Sequence, residues 1–314
     1  MKSNTKARKT VGTDRMPLLL IVALLFATLF FVDFGFGDHA GPGPNYINYS
    51  IDARVNITGS PPVILNVLVN SPITLNAGNT TNISCNVSIR DYNGYADVNF
   101  TNATLYHYSS SEAGADDNNT HYTNSSCAIM TGQADGYYVN YTCTFPVQYF
   151  ALNGTWNCTA RANDSINLRS VQSNSTSINA LYALNVTNIL NYGEMNAEEY
   201  KNHTANITNL GNLNINISLY GYGRMMSDNL SFVCDVGNLS ADVQRFAANS
   251  TAGYDVKVKL SNASQRIPGL TINKTANGSL STNTTWWELY LPIDQVAFGE
   301  CNGTIVFQAE VADV

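Results

Sequence analysis

Apolar and polar residues alternate with a period of two along much of the chain, which indicates β-strands with one buried face. The stretch 82–90 shows the pattern most clearly, with Asn or Ser between successive apolar residues. The same alternation predicts these inward-facing sets: Ile83, Cys85, Val87 and Ile89; Val63, Leu65, Val67 and Val69; Val139, Tyr141, Cys143, Phe145 and Val147; Trp156, Cys158, Ala160 and Ala162. Turn-forming pairs such as Asn93-Gly94 separate the strands, so residues 63–165 are predicted to form a β-sandwich.

The second half of the chain shows the same alternation of apolar and polar residues, although its sequence does not repeat that of the first half. A Ser/Asn-rich run at 166–180 is predicted to be a linker, and residues 181–314 a second β-sandwich. Its predicted inward-facing sets are Leu213, Ile215, Ile217 and Leu219; Val256, Val258 and Leu260; Trp287, Leu289 and Leu291; Ile305, Phe307, Ala309 and Val311.

The N-terminal region has a different pattern. Residues 1–15 carry a net charge of +4 and precede the uncharged run Pro17–Val32. We therefore predict a cytoplasmic leader at 1–15, a signal-anchor or signal-peptide helix at 16–36, and a Gly/Pro-containing stalk or linker at 37–62. A retained helix gives a single-pass membrane protein with its C-terminal region extracellular. Cleavage of the helix gives a secreted protein.

Asn-X-Ser/Thr sequons are unusually dense. The chain has 41 Asn and 53 Ser plus Thr, which would give roughly seven sequons by chance. It contains 26, none with Pro in the middle. Because glycans must face solvent, N-glycosylation is predicted at outward positions, among them Asn82, Asn86, Asn102, Asn140, Asn157, Asn216, Asn238 and Asn302.

Six cysteines follow the apolar run, and an even number in an exported chain favours disulfides. Cys85 and Cys158 share faces with core residues, and both should point into the first sandwich, as in an immunoglobulin-like domain. Cys127 and Cys143 flank a turn and could bridge neighbouring strands. Cys234 and Cys301 remain for the second sandwich. Four cysteines allow three pairings, so the connectivity of the first sandwich stays open.

One acidic loop suggests a cation site. Asp91, Asn93 and Asp97 surround Gly94, and oxygen side chains around a Gly turn are typical of calcium loops. The pattern is incomplete, since Ile89 occupies its first position, and a hairpin turn with local hydrogen bonds explains the same residues. Asp116-Asp117-Asn118-Asn119 could add further oxygens. The expectation is therefore no cofactor, with Ca²⁺ as a possible exception.

The sequence gives little indication of nucleic-acid binding, catalysis or sugar binding. The chain beyond residue 15 has a net charge of −11 and no basic stripe, which argues against nucleic acid as a partner. It contains no G-x-S-x-G, H-E-x-x-H or phosphate-loop motif, so an enzyme is not expected. Trp286 and Trp287 could line a sugar-binding face, although cross-strand or core packing is the commoner role of such residues.

Parts of the sequence resemble known families. Cys85–Tyr106, then Cys127, Cys143 and Phe145, and then Gly154-Thr155-Trp156-Asn157-Cys158-Thr159-Ala160 resemble immunoglobulin-like domains of archaeal cell-surface proteins, over residues 63–165. Trp286-Trp287-Glu288 and 301–305 are weakly similar to the last strands of camelysin-like filament subunits. The resemblance implies an extracellular structural or adhesive role and no catalytic activity.

The sequence thus predicts an all-β protein, with two immunoglobulin-like β-sandwich domains behind an N-terminal hydrophobic helix. Its predicted role is that of a membrane-anchored, N-glycosylated surface protein, structural or adhesive, which associates with other surface proteins or with itself. The alternative is a subunit of an extracellular filament. In a pilin-like filament, cleavage after Gly12 would leave the apolar helix as the filament core, although Pro17 and the lack of a Glu at the usual position argue against this version. In the other version, residues 45–58 add as a strand to a neighbouring copy. A secreted hydrolase would need a titratable cluster that the sequence does not reveal.

Overall fold

A computed structural model describes residues 50–312, apart from the side chain of Phe100. Within this range the secondary structure is almost entirely β, which confirms the predicted fold class. The predicted leader, apolar helix and first part of the stalk lie outside the described residues. Among residues 50–312, no helix has the length and apolar character needed to span a bilayer.

The first β-sandwich contains strands β1 to β8. Their bounds are β1 Val63–Val69, β2 Thr80–Arg90, β3 Val98–His107, β4 His121–Asn124, β5 Ala128–Asp135, β6 Tyr138–Gln148, β7 Gly154–Asp164 and β8 Arg169–Ile178. One sheet has the order β1-β2-β6-β5 and the other β4-β3-β7-β8, with antiparallel pairing throughout. The predicted inward sets of β2, β6 and β7 are all buried, so period-two alternation located this core correctly.

Strand β1 departs from the prediction. Its register shifts between Ile64 and Asn66, which is a bulge. Ile64 and Val67 are therefore buried, whereas Leu65 is 43% exposed. One extra residue moves the side chains that precede it to the other face, which is why simple alternation failed here.

The segment predicted to be a linker is mostly a strand. β8 pairs with β7 over ten residues, from Gly154↔Ile178 to Asn163↔Arg169. It also closes one side of the sandwich against β1, since Asn174 Nδ2 donates to Val67 O at 2.8 Å. Its Ser- and Asn-rich composition reflects a largely exposed edge strand.

The second β-sandwich contains the remaining strands. They are β9 Leu184–Val186, β10 Tyr200–Asn209, β11 Ile215–Tyr222, β12 Leu230–Ser240, β13 Gln244–Ala247, β14 Val258–Lys259, β15 Gln265–Ile272, β16 Ser281–Tyr290, β17 Ala297–Asn302 and β18 Thr304–Val311. A five-stranded sheet (β14-β13-β16-β10-β9) faces a three-stranded one (β15-β11-β18), and β12 and β17 form a separate ribbon. Trp287, Phe246 and Ile217 lie in the shared core and are fully buried.

The predicted strand through Val256, Val258 and Leu260 is only partly present. Residues Tyr254–Val256 form a single 3₁₀ turn, and Val256 is 76% exposed. Lys257 is buried instead, because its ammonium lies 2.7 Å from the Glu288 carboxylate. A long-range ion pair therefore overrides the local apolar pattern at this point.

Three disulfides connect all six cysteines. Cys85–Cys158 joins β2 to β7 across the first sandwich, and Cys127–Cys143 joins the residue before β5 to β6. Cys234–Cys301 joins the two strands of the β12/β17 ribbon. The first sandwich therefore uses the pairing in which the core bridge links its two sheets.

Both sandwiches belong to one compact unit, Asn56–Val314. Several polar contacts join them directly. Tyr149 and Thr275 share a hydroxyl hydrogen bond of 2.7 Å, and Lys274 Nζ donates to Phe150 O at 3.1 Å and also to Asn119 Oδ1. The junction is thus held by side chains that are at least partly removed from water.

Candidate metal centre and glycosylation surface

The loop that follows β2 is shaped by a glycine turn. Gly94 has a φ of 106°, which favours glycine over other residues. Asn93 N donates to Asp91 Oδ1 at 2.8 Å, and Gly94 N donates to Asp91 O at 3.1 Å. A single 3₁₀ turn, Tyr95–Asp97, then leads into β3. This turn places Asp91 and Asp97 on neighbouring parts of one tight loop.

A third carboxylate comes from the end of β7, a strand of the other sheet. Asp164 ends β7, and the β3–β7 register sets it opposite Val98, the residue after Asp97. Its Oδ1 accepts hydrogen bonds from Ile166 N at 3.0 Å and Leu168 N at 2.8 Å. These bonds fix the carboxylate against the β7–β8 turn.

Together the three side chains form a carboxylate cluster, Asp91, Asp97 and Asp164. One oxygen from each lies within 4.8 Å of the others. Asp91 and Asp164 are 0% exposed, and among the described residues the Oδ2 atom of neither one has a hydrogen-bond partner. Burial raises the pKa of Asp91, and the charges of Asp97 and Asp164 raise it further, against the opposing hydrogen bond from Asn93 N–H.

Asn93, the third predicted ligand, is used elsewhere. Its Oδ1 accepts from Ser60 N at 2.9 Å, and its Nδ2 donates to Thr58 O at 3.4 Å. Its amide therefore holds the segment 58–60 rather than facing the cluster. Sequence reasoning missed Asp164 because this residue lies 67 positions beyond Asp97, and only the β3–β7 register brings the two together.

The second acidic loop does not contribute to this cluster. Asp117 Oδ1 accepts from Thr120 N at 2.6 Å and from Asn119 N at 2.9 Å, and Asp116 Oδ1 lies 2.8 Å from His121 Nδ1. Although burial opposes it, hydrogen bonding lowers the pKa of Asp117. These carboxylates serve as acceptors within their own loop.

The predicted glycosylation residues differ in accessibility. Asn82, Asn238 and Asn302 are exposed, whereas Asn86, Asn102, Asn140 and Asn157 are half-buried. Asn216 is only 2% exposed, contrary to its predicted outward orientation. It lies on β11, the central strand of its sheet, and its Oδ1 accepts the Thr271 hydroxyl at 2.7 Å. Lateral neighbours thus cover a position that alternation alone placed in solvent.

The histidines do not form a recognisable catalytic triad in residues 50–312. His107 Nδ1 lies 2.7 Å from Ser109 Oγ, but its buried Nε2 has no hydrogen-bond partner among the described residues. Burial lowers the pKa of His107, and no acidic group on Nε2 is present there to stabilise a charged ring. Trp287, for which core packing is the commoner expected role and sugar stacking the alternative, is buried and donates to Thr285 Oγ1 at 2.9 Å.

A groove of about 770 Å³ opens between β9 and β18 in the second sandwich. Both strands lie at the ends of their sheets. The groove has a mixed lining, with apolar residues such as Leu184, Phe232 and Phe307 beside polar residues such as Asn185, Gln244 and Asn302. Apolar side chains of the second sandwich, among them Leu184, Phe232 and Phe307, are therefore only half-buried along this edge.

Comparison with known proteins gives only distant similarity. No protein-family model matches the chain, and no curated protein matches it. Similar solved structures include the CsuC–CsuE chaperone–tip adhesion subunit complex of Acinetobacter baumannii Csu pili, with 12% identity and a TM-score of 0.39, covering 78% of this chain and 100% of that one. A chaperone–tip adhesin complex of CFA/I fimbriae has 10% identity and a TM-score of 0.29, covering 79% and 81%.

The secreted serine protease VesC from Vibrio cholerae is also similar, with 8% identity and a TM-score of 0.18, covering 78% of this chain and 51% of that one. Pilus complexes and a protease thus occur among the similar structures. With TM-scores this low, none of them carries an argument about function.

Proposed function

We propose that this chain is an N-glycosylated protein of the cell surface, anchored by its N-terminal apolar segment, with a structural or adhesive role and no catalytic activity. The observation that carries the proposal is the density of sequons, 26 in 314 residues, on a chain with only 12% charged residues. Glycans at exposed positions would supply the solvation that charged side chains supply in most soluble proteins.

The disulfides support an extracellular location. All six cysteines are paired, and such bonds persist in oxidising compartments outside the cytosol. The bridge Cys85–Cys158 is completely buried, as is expected of a bond that stabilises a domain rather than one that exchanges. Cross-linked β-sandwiches suit a protein that must stay folded outside the cell.

Intact-mass and glycopeptide mass spectrometry of the native protein tests this proposal. We expect a mass well above 34.1 kDa, with glycans at Asn82, Asn238 and Asn302, and an N-terminal peptide that retains Pro17–Val32. An unmodified mass would contradict glycosylation, and loss of Pro17–Val32 would contradict the anchor. The two parts of the proposal are thus tested separately.

A second candidate function, a filament subunit, is favoured by the groove between β9 and β18. An extended apolar segment could fill this groove by adding a strand to an open edge. The segment at 51–57 has the required side chains, since Ile51, Val55 and Ile57 are 94%, 85% and 77% exposed. In this version, residues 45–58 of one copy would occupy the groove of another.

Glycan occupancy at Asn185 distinguishes the two candidates. Asn185 begins a sequon, is exposed, and lies on β9 at the rim of the groove. A glycan there would block strand addition and favour the adhesive role. An unmodified Asn185, together with fibres visible by electron microscopy that disappear on deletion of residues 45–58, would favour the filament.

A further inference from the structure

We propose that Asp91, Asp97 and Asp164 bind a calcium ion, and that this ion joins the β2–β3 loop to the β7–β8 turn. The proposal does not depend on glycosylation or on the cellular role. It revises the ligand set that the sequence suggests, with Asp164 in the place of Asn93.

The bonding of the carboxylates is the first argument. In Asp91 and Asp164, Oδ1 is used by backbone N–H groups, whereas Oδ2 is buried without a hydrogen-bond partner among the described residues. A buried carboxylate oxygen without a partner is costly, and negative charges held close together add to the cost. A divalent cation between these oxygens removes both penalties.

The second argument concerns which cation fits. Carboxylate oxygens are hard ligands and favour Ca²⁺ or Mg²⁺ over softer transition metals. Three oxygens at most 4.8 Å apart lie at most about 2.8 Å from a common centre, so a contraction of a few tenths of an ångström at most brings them into the calcium range of about 2.3–2.6 Å. Magnesium needs about 2.0–2.1 Å in an octahedron, which would draw the ligands closer than the two fixed backbone turns favour.

The consequence of binding follows from the connections of the loop. Asp91 begins the loop after β2, and Asp164 begins the turn after β7, so one ion would cross-link the two sheets at this end of the sandwich. The same loop holds the preceding chain, because the Asn93 amide contacts Thr58 and Ser60. Calcium would therefore also stiffen the point where the predicted stalk meets the first sandwich.

Calorimetric titration and thermal melting of the full chain in detergent test the site. We expect CaCl₂ to bind with a Kd of about 10⁻⁴–10⁻³ M, the range of extracellular modules. We also expect the melting temperature to rise by about 5 °C in 10 mM CaCl₂ relative to EDTA. Tb³⁺ provides a second readout, because Tyr95 lies in the same loop and can sensitise its emission.

Substitutions locate the ion. Asp164→Asn and Asp91→Asn each keep an Oδ1 acceptor for the local backbone N–H groups, so the fold should persist, but calcium affinity should fall at least tenfold. The matched control is Asp135→Asn, which removes an exposed carboxylate from the nearby β5–β6 turn and should leave affinity within about twofold. An equal response in Asp164→Asn and the control would overturn the proposal.

Other outcomes are equally decisive. Absence of both titration heat and melting shift in the unmodified chain overturns the site. Magnesium affinity equal to that of calcium overturns the choice of ion. If both variants fail to fold, hydrogen exchange of the unmodified chain decides the matter: calcium should slow exchange at 91–97 and 164–168, and protection confined to other segments contradicts the assignment.

Discussion

Individual buried polar residues account for several features that alternation does not predict. Lys257 and Glu288 form an ion pair with an Nζ–Oε2 distance of 2.7 Å, and their side chains are 5% and 12% exposed. Such a pair contributes little net stability, but either partner left alone is a buried unpaired charge. The pair therefore fixes the chain between the 3₁₀ turn at 254–256 and β14.

Removal of one partner of the Lys257–Glu288 pair should destabilise the protein much more than removal of both. We expect Lys257→Met to lower the free energy of unfolding by about 3–5 kcal/mol, because Glu288 then stays buried without a partner. The double variant Lys257→Met/Glu288→Leu should recover most of this loss. Urea denaturation of the unmodified chain, the single variant and the double variant measures the free energy of unfolding. Equal losses in the two variants would contradict the ion-pair interpretation.

Accessibility also makes a prediction about modification at single residues. We expect the Asn216 sequon to carry no glycan, because its amide is buried and hydrogen-bonded to β15, whereas Asn82 on β2 is exposed. Glycopeptide mapping compares the two directly. Ser218→Ala, which destroys the Asn216 sequon, should leave the glycan mass unchanged, while Ser84→Ala should reduce it by one glycan.

At the scale of elements, the disulfides act on parts of very different intrinsic stability. Cys85–Cys158 lies in a core where two four-stranded sheets already pack together. The β12/β17 ribbon pairs with no other strand in residues 50–312, and its apolar contacts with the rest of the second sandwich include a small cluster around Leu239, Val243 and Leu289. Cys234–Cys301 therefore stabilises a ribbon that no third strand extends within residues 50–312.

Loss of the ribbon disulfide should act locally. We expect Cys234→Ser/Cys301→Ser to speed amide exchange in β12 and β17 while β11 stays protected, with a global loss of about 2–4 kcal/mol at most. Hydrogen exchange followed by mass spectrometry measures the difference. Uniform loss of protection across both sandwiches would show that the ribbon is integral to the fold rather than an attachment.

At the scale of the whole molecule, the contacts between the sandwiches include specific polar side-chain contacts. Lys274 bridges to Phe150 O and Asn119, and burial lowers the pKa of its ammonium group. Tyr149 adds a buried hydroxyl contact with Thr275. Because these bonds replace water at the junction, breaking them leaves unsatisfied partners.

Disruption of the junction should uncouple the sandwiches. We expect the unmodified chain to unfold in one calorimetric transition, and the variant Tyr149→Phe/Lys274→Met to unfold in two, with a loss of about 1–3 kcal/mol. The matched control is Lys201→Met, which removes a surface ion pair with Glu199 and should cost less than about 1 kcal/mol. Two transitions in the unmodified chain would contradict the coupling.

The sequence by itself determined the strands whose side chains alternate without interruption. In β2, β6 and β7, each inward position is fixed by the pleat of the strand, and burial of apolar surface then selects the face. The same parity placed Cys85 and Cys158 in the core. It also identified Asp91 and Asp97, because a single glycine turn brings those two residues together.

Tertiary structure decided whatever depends on residues far apart in the chain. The bulge in β1, the burial of Asn216 and the position of Asp164 beside Asp91 and Asp97 all follow from pairing with other strands. Local sequence carries no signal for such contacts, because the register of a sheet is set by packing over its whole area. In the proposed calcium site, Asp91 and Asp97 are thus placed by the local loop, whereas Asp164 is placed by the β3–β7 register.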